Sequence, residues 1–154
     1  YGSSNAPADP GSGGGTYGGY AGGRGGGLIW LNVQRTLTVD GDIRARGNVT
    51  PTSPYDVDVG GGGSGGGIYI RCKTLTGAAT GRILADGGVP HFERPAWSGG
   101  SGGGGRIAIW SQYNSYLGTN SVAAGQAANG LRTGTAGTVV WGVMQAQGTI
   151  FVVH

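Results

Sequence analysis

The stretch Gly103-Gly104-Gly105-Arg106-Ile107-Ala108-Ile109-Trp110-Ser111 decides the fold. A glycine run passes directly into a segment where aliphatic residues alternate with other types, the period-2 pattern of a half-buried strand. The same unit stands upstream as Gly65-Gly66-Gly67-Ile68-Tyr69-Ile70-Arg71-Cys72 and as Gly25-Gly26-Gly27-Leu28-Ile29-Trp30-Leu31-Asn32-Val33. Ile29, Ile68 and Ile107 are spaced by 39 and 39 residues, and Leu31, Ile70 and Ile109 keep that offset. A second strand-like segment follows each unit, at 41–47, 81–87 and 120–125, with Ile43, Ile83 and Val122 spaced by 40 and 39. Between the two lie Thr36-Leu37-Thr38-Val39 and Thr74-Leu75-Thr76, which predict a third short strand. Gly137-Thr138-Val139-Val140-Trp141 and the segment 148–154 predict a partial fourth repeat.

Repeats of about 40 residues built from short strands suit either propeller blades or solenoid coils. A propeller needs about four blades of four strands, and this chain offers three repeats of two or three. The pattern therefore predicts an all-β, glycine-rich parallel β-solenoid of three to four coils, with a β-sandwich as the alternative. The organisation that follows is a Gly/Ser/Pro-rich N-terminal segment over 1–27 and one β-repeat domain over 28–154. Its repeats fall near 28–59, 60–98 and 99–135, with a partial one at 136–154. No helix of three turns is expected, and only 121–132 suits a turn or two.

Composition narrows the classes further. Of the 154 residues 38 are Gly, against roughly 7% in ordinary globular chains. Charged residues make up 11% and the net charge is +3, too little for the self-repulsion that keeps disordered chains expanded. The pI near 9.3 rests on scattered cations, with no basic cluster interleaved with aromatics, so nucleic acid is not an expected partner. No apolar run approaches the ~18 residues of a membrane span, and residue 1 opens no export signal, which reads as a processed start. Leu, Ile, Val and Phe total 29, a thin core. Of the glycines, 24 fall at 11–27, 60–67 and 99–105. Such tracts either stack closely in an extended, polyproline-II-like array bonded through the backbone, or serve as flexible linkers. Both readings are open at this point.

The tract-plus-strand units at 25–30, 65–70 and 103–109, together with Ala136-Gly137-Thr138-Val139-Val140, resemble the glycine-rich repeats of large secreted microbial surface proteins. The resemblance covers most of 11–154 and implies a non-catalytic, extracellular β-solenoid module. The chain departs from that pattern in length, being one short module and not a long array.

Chemistry-bearing residues are sparse. Cys72, the only cysteine, falls on the inward strand face and reads as a buried, inert thiol. His91 and His154 stand in no metal-ligand spacing with it. Asp40 with Asp42, and Asp56 with Asp58, offer paired carboxylates beside glycine, read as turn formers and not as calcium ligands, and Glu93 stands alone. Thr36-Leu37-Thr38 and Thr74-Leu75-Thr76 resemble the Thr-x-Thr rungs of ice-binding solenoids, but two rungs are too few. No nucleophile-elbow or phosphate-loop motif accompanies the serines and glycines. No catalytic, cofactor or metal site is expected.

The aromatics carry more. Trp30, Tyr69 and Trp110 fall on outward strand positions, and Tyr17, Tyr20, Tyr113 and Tyr116 in expected loops, which suggests a contact surface for another subunit or for sugar rings. Asn48-Val49-Thr50 is a glycosylation sequon, and Pro51-Thr52-Ser53-Pro54 has the character of an O-glycosylated loop. The expectation is a non-enzymatic structural subunit, extracellular or at the cell surface, that polymerises with itself into a filament, sheath or matrix. Its contacts would be Trp30, Tyr69 and Trp110, with Ile150, Phe151, Val152 and Val153 as an uncapped end and residues 1–27 as an extension onto a neighbour. The alternative is a glycan-binding adhesin or phage receptor-binding module.

Overall fold

A computed structural model describes residues 2–16, 18–50, 60–90, 99–126 and 133–145. The alternating segments form strands β1 (Leu28–Thr38), β3 (Gly67–Gly77), β5 (Arg106–Tyr116) and β7 (Thr138–Val143), which make one sheet in that order. The short strands β2 (Asp42–Arg44), β4 (Arg82–Leu84) and β6 (Thr119–Ser121) make a second. Every ladder is parallel, and no helix occurs among the described residues, whose fold is all-β; residues 127–132 of the stretch expected to suit a helical turn lie outside them.

The register reproduces the sequence repeat. Ile29 faces Ile68, which faces Ile107, which faces Val139, and the next inward ladder runs Leu31, Ile70, Ile109 and Trp141. Ile68, Ile70, Ile107 and Ile109 are wholly buried, and Cys72 completes the inward side of β3. Burial raises the Cys72 thiol above its ordinary pKa, which keeps it protonated and inert.

Two details depart from the sequence pattern. The Thr-x-Thr segments are not separate strands: they continue β1 and β3 across a bulge between Val33 and Thr36, where the β1–β3 offset changes by one residue. Beyond it Thr36 lies beside Thr74 and Thr38 beside Thr76, and Tyr113 and Ser115 occupy the third rung. The third short strand is centred on Asn120, which faces Ile83, and not on Val122. Its connection from β5 spans two residues, whereas four link β3 to β4. Tyr116 closes that tighter corner: its hydroxyl donates to the Thr119 carbonyl at 3.1 Å, and its ring packs on the core. Tyr113 and Tyr116 thus belong to β5 and not to loops.

The glycine tracts pack side by side. From Gly61 to Gly66 the amides donate to three neighbours in rotation. Gly61 and Ser64 bond the carbonyls of Gly15 and Ser12, both at 2.9 Å. Gly62 and Gly65 bond those of Gly100 and Gly103 at 2.8 and 2.9 Å, and Gly63 and Gly66 bond those of Asn48 and Ala45 at 3.1 and 2.7 Å. A period of three with no bond inside the strand is the signature of polyproline-II-like backbone. Positive φ occurs only at Gly2, Gly18 and Gly19 among the described glycines, so apart from the turn at Gly18-Gly19 the tracts do not need glycine for turning. They need it for approach: a Cβ on Gly66 would collide with the Gly27 carbonyl, and one on Gly102 with that of Gly63.

The N-terminal segment joins this packing within its own chain. Gly11 and Gly14 donate to the carbonyls of Gly26 and Gly23, both at 2.8 Å. Earlier residues cross the outer face of the large sheet, with Pro7 buried beside Gly67 and the Asn5 carbonyl accepting from Trp110 Nε1 at 2.9 Å. Ala108, on an outward position of β5, is nonetheless wholly buried.

Glycine pairs with opposite surroundings test this packing. Gly66→Ala should cost at least the ~1–3 kcal/mol of overpacking, because backbone and not a side chain must yield. Gly27→Ala meets nothing within 4 Å and should gain about 0.4–1 kcal/mol through the unfolded chain. Thermal melts of the two variants check this. Equal melting temperatures would contradict close packing.

Candidate functional site

The exposed chemistry lies on the outer face of the β1-β3-β5-β7 sheet. Strand alternation sends Trp30, Asn32, Tyr69, Arg71, Ala108 and Trp110 to this face while their neighbours fill the core. Trp30 and Tyr69 occupy one rung and stack with centroids 4.2 Å apart and planes tilted by 32°. Trp30 remains half exposed. Trp110 belongs to the neighbouring rung with Asn32 and Arg71, where its ring leans over Gly142 and its indole N–H is held by Asn5. Of the expected contact aromatics, two therefore form a pair and the third is partly covered by the chain's own N-terminal segment. Ile150, Phe151, Val152 and Val153 lie outside the described residues.

Beside the aromatics runs an open groove of about 590 Å³, lined by Asn32, Gln34, Arg71, Lys73, Gln112 and Gln145 together with Val33 and Met144. Arg71 Nε donates to the Met144 sulfur at 3.1 Å. The sequence reading passed over these residues, although Gln34, Lys73 and Gln112 are spaced by 39 and 39 like the core isoleucines. The signal was present in the outward positions of the repeat.

The carboxylates of Asp40, Asp42 and Asp86 sit elsewhere. Asp40 Oδ1 accepts from the Ala78 amide at 2.8 Å, fixing the turn that leads into β4. Asp42 receives Arg82 through two bonds at 2.7 and 2.8 Å and also contacts Arg44. The Arg82 bonds hold its carboxyl below the ordinary value, with Arg44 assisting against the cost of burial. Asp86, largely buried, bonds Ser121 Oγ, the Ala123 amide at 2.9 Å and Arg46 at 2.8 Å. Both expected aspartates of the first pair thus act in turn and ladder geometry. Asp56, Asp58, Glu93, His91 and His154 lie outside the described residues, and no group of three or more metal-binding side chains occurs among the described ones.

Asn48 is exposed, while its amide donates to Arg24 and its carbonyl accepts from Gly63. Thr50 of the same sequon is buried. No helix of the described residues is long and apolar enough to cross a membrane. Comparison of the chain with protein-family models, with characterised proteins and with solved structures gives no match.

The Asp42 cluster gives a pH prediction. Its lowered pKa means a contribution to stability that is present above the unfolded value near 3.8 and lost as pH falls through the folded one. The site lies at the surface, so the contribution is small and falls with salt. Denaturant midpoints measured from about pH 5 to pH 2 should drop more steeply for the native chain than for Asp42→Asn. Parallel curves would contradict this role.

Proposed function

We propose that the chain is a non-catalytic structural subunit, a parallel β-solenoid of three to four coils that polymerises end to end into an extracellular filament, sheath or matrix. The observation supporting this is the state of the two sheet ends. Among the described residues β1 and β7 are the edge strands, and the inward ladders reach them with their last members part exposed. At the β1 end these are Ile29, Leu31 and Val33. At the β7 end they are Val139, then Trp141 and Val143, which are 45% and 79% exposed.

A second copy that set its β1 beside β7 would continue all three ladders. It would place Ile29 on Val139, Leu31 on Trp141 and Val33 on Val143, and pair two strand edges that have no strand partner among the described residues. Natural proteins blunt such edges with charge or proline, and β7 contains neither. The contact joins two different surfaces, so repetition without ring closure yields an open polymer. Exposed Asn48 and a surface with few charges accord with an extracellular setting.

Val143→Glu tests the reading. At 79% exposure the change should move monomer stability by no more than about 0.5 kcal/mol, yet it would bury an unpaired charge in the joint. Sedimentation velocity at micromolar concentration should show polymer for the native chain and monomer for the variant. A native chain that stays monomeric, or a variant that polymerises equally, contradicts the proposal.

A further inference from the structure

The outer-face groove is a surface of one chemical kind. Its two cations, Arg71 and Lys73, form no ion pair, and the Arg71 terminal nitrogens bond nothing among the described residues. Among the described residues no side-chain hydrogen bond engages the carboxamides of Asn32, Gln34, Gln112 or Gln145, and no carboxylate lines the groove. This contrasts with the face of the small sheet, where Arg44, Arg46 and Arg82 are each held by Asp42 or Asp86. The chain pairs the cations around the small sheet, whereas Arg71 and Lys73 in the groove have no ion-pair partner among the described residues.

We infer that this groove binds an acidic polysaccharide bearing uronate carboxylates. The two cations supply charge complementarity, and the planar guanidinium of Arg71 matches a carboxylate through paired N–H donors. Carboxamides both donate and accept, as sugar hydroxyls do. Val33 and Met144 in the lining offer apolar contact to the C–H face of a pyranose. An acidic peptide would use the cations but has no comparable need for four two-way amides. The groove also has the direction of an extended polymer. It runs across the strands from Asn32 on β1 to Gln145 just past β7, three strand spacings or about 14 Å. The inference does not depend on polymerisation, although stacked subunits would align their grooves.

Calorimetry on the native chain with tetragalacturonate tests it, with cellotetraose as the neutral glycan of equal length and tetraglutamate as the acidic peptide. Tetragalacturonate should bind at least about tenfold more tightly than either. Its affinity should fall between 0.1 M and 1 M salt, as the screening length drops from about 10 to about 3 Å. Arg71→Gln with Lys73→Gln should weaken it about tenfold or more without shifting the melting temperature, since both side chains are exposed. Gln112→Ala should weaken tetragalacturonate and leave tetraglutamate unchanged. Absent binding, equal binding of tetraglutamate, or full affinity in the double variant would overturn the inference. Sedimentation of the same double variant should still show polymer, which separates failure of the groove from failure of the assembly.

Discussion

The structure depends on peptide groups bonding to peptide groups of three different neighbours at close range. A glycine costs roughly 1 kcal/mol more to order than an alanine, and a backbone hydrogen bond returns about 0.5–1.5 kcal/mol net. These magnitudes nearly cancel. A glycine tract therefore orders only where almost every peptide group is bonded and where removal of the side chain is what permits it. Residues 61–66 meet both conditions, with each amide bonded and several positions closed to a Cβ.

The aliphatic ladders and the glycine layer support one another. The ladders alone are thin, with few residues wholly buried and their end members half exposed. They fix the vertical register of neighbouring repeats, and that register sets each glycine tract opposite its acceptors. The return tracts at 45–48 and 85–88 tie the layer to the small sheet through bonds such as Ala45 to Leu84 and Ala85 to Ser121, both at 2.8 Å. Asp86 anchors the second return tract by holding Ser121 and the Ala123 amide. A fault in either layer should therefore be felt in the other.

Much of this was legible in the residues. The 39-residue spacing of Ile29, Ile68 and Ile107 predicted the parallel ladder, and alternation predicted which side chains enter the core. The misplacement of the third short strand has a local cause, because Tyr116 shortens the corner by two residues and spacing alone does not show a ring filling a turn. The bulge after Val33 changed the offset within one strand and made a continuous strand look like two. The covering of Trp110 was not legible, since it joins Asn5 to a residue 105 positions away through a backbone carbonyl that carries no sequence signature. The groove was legible in principle at Gln34, Lys73 and Gln112. Polar outward positions are what any solvated strand shows, so only the missing counter-charge marks it.

The central claim is that the glycine tracts are a bonded, packed layer and not linkers between strands. Native-state amide hydrogen exchange, resolved residue by residue, tests it most directly. The account predicts that the amides of Gly61 to Gly66, with those of Gly11, Gly14, Gly23 and Gly26, are protected to a degree comparable with Ile70 and Ile109 in the sheet. Exchange of the tract amides at the rate of unstructured glycine, while the strand amides remain protected, would contradict it.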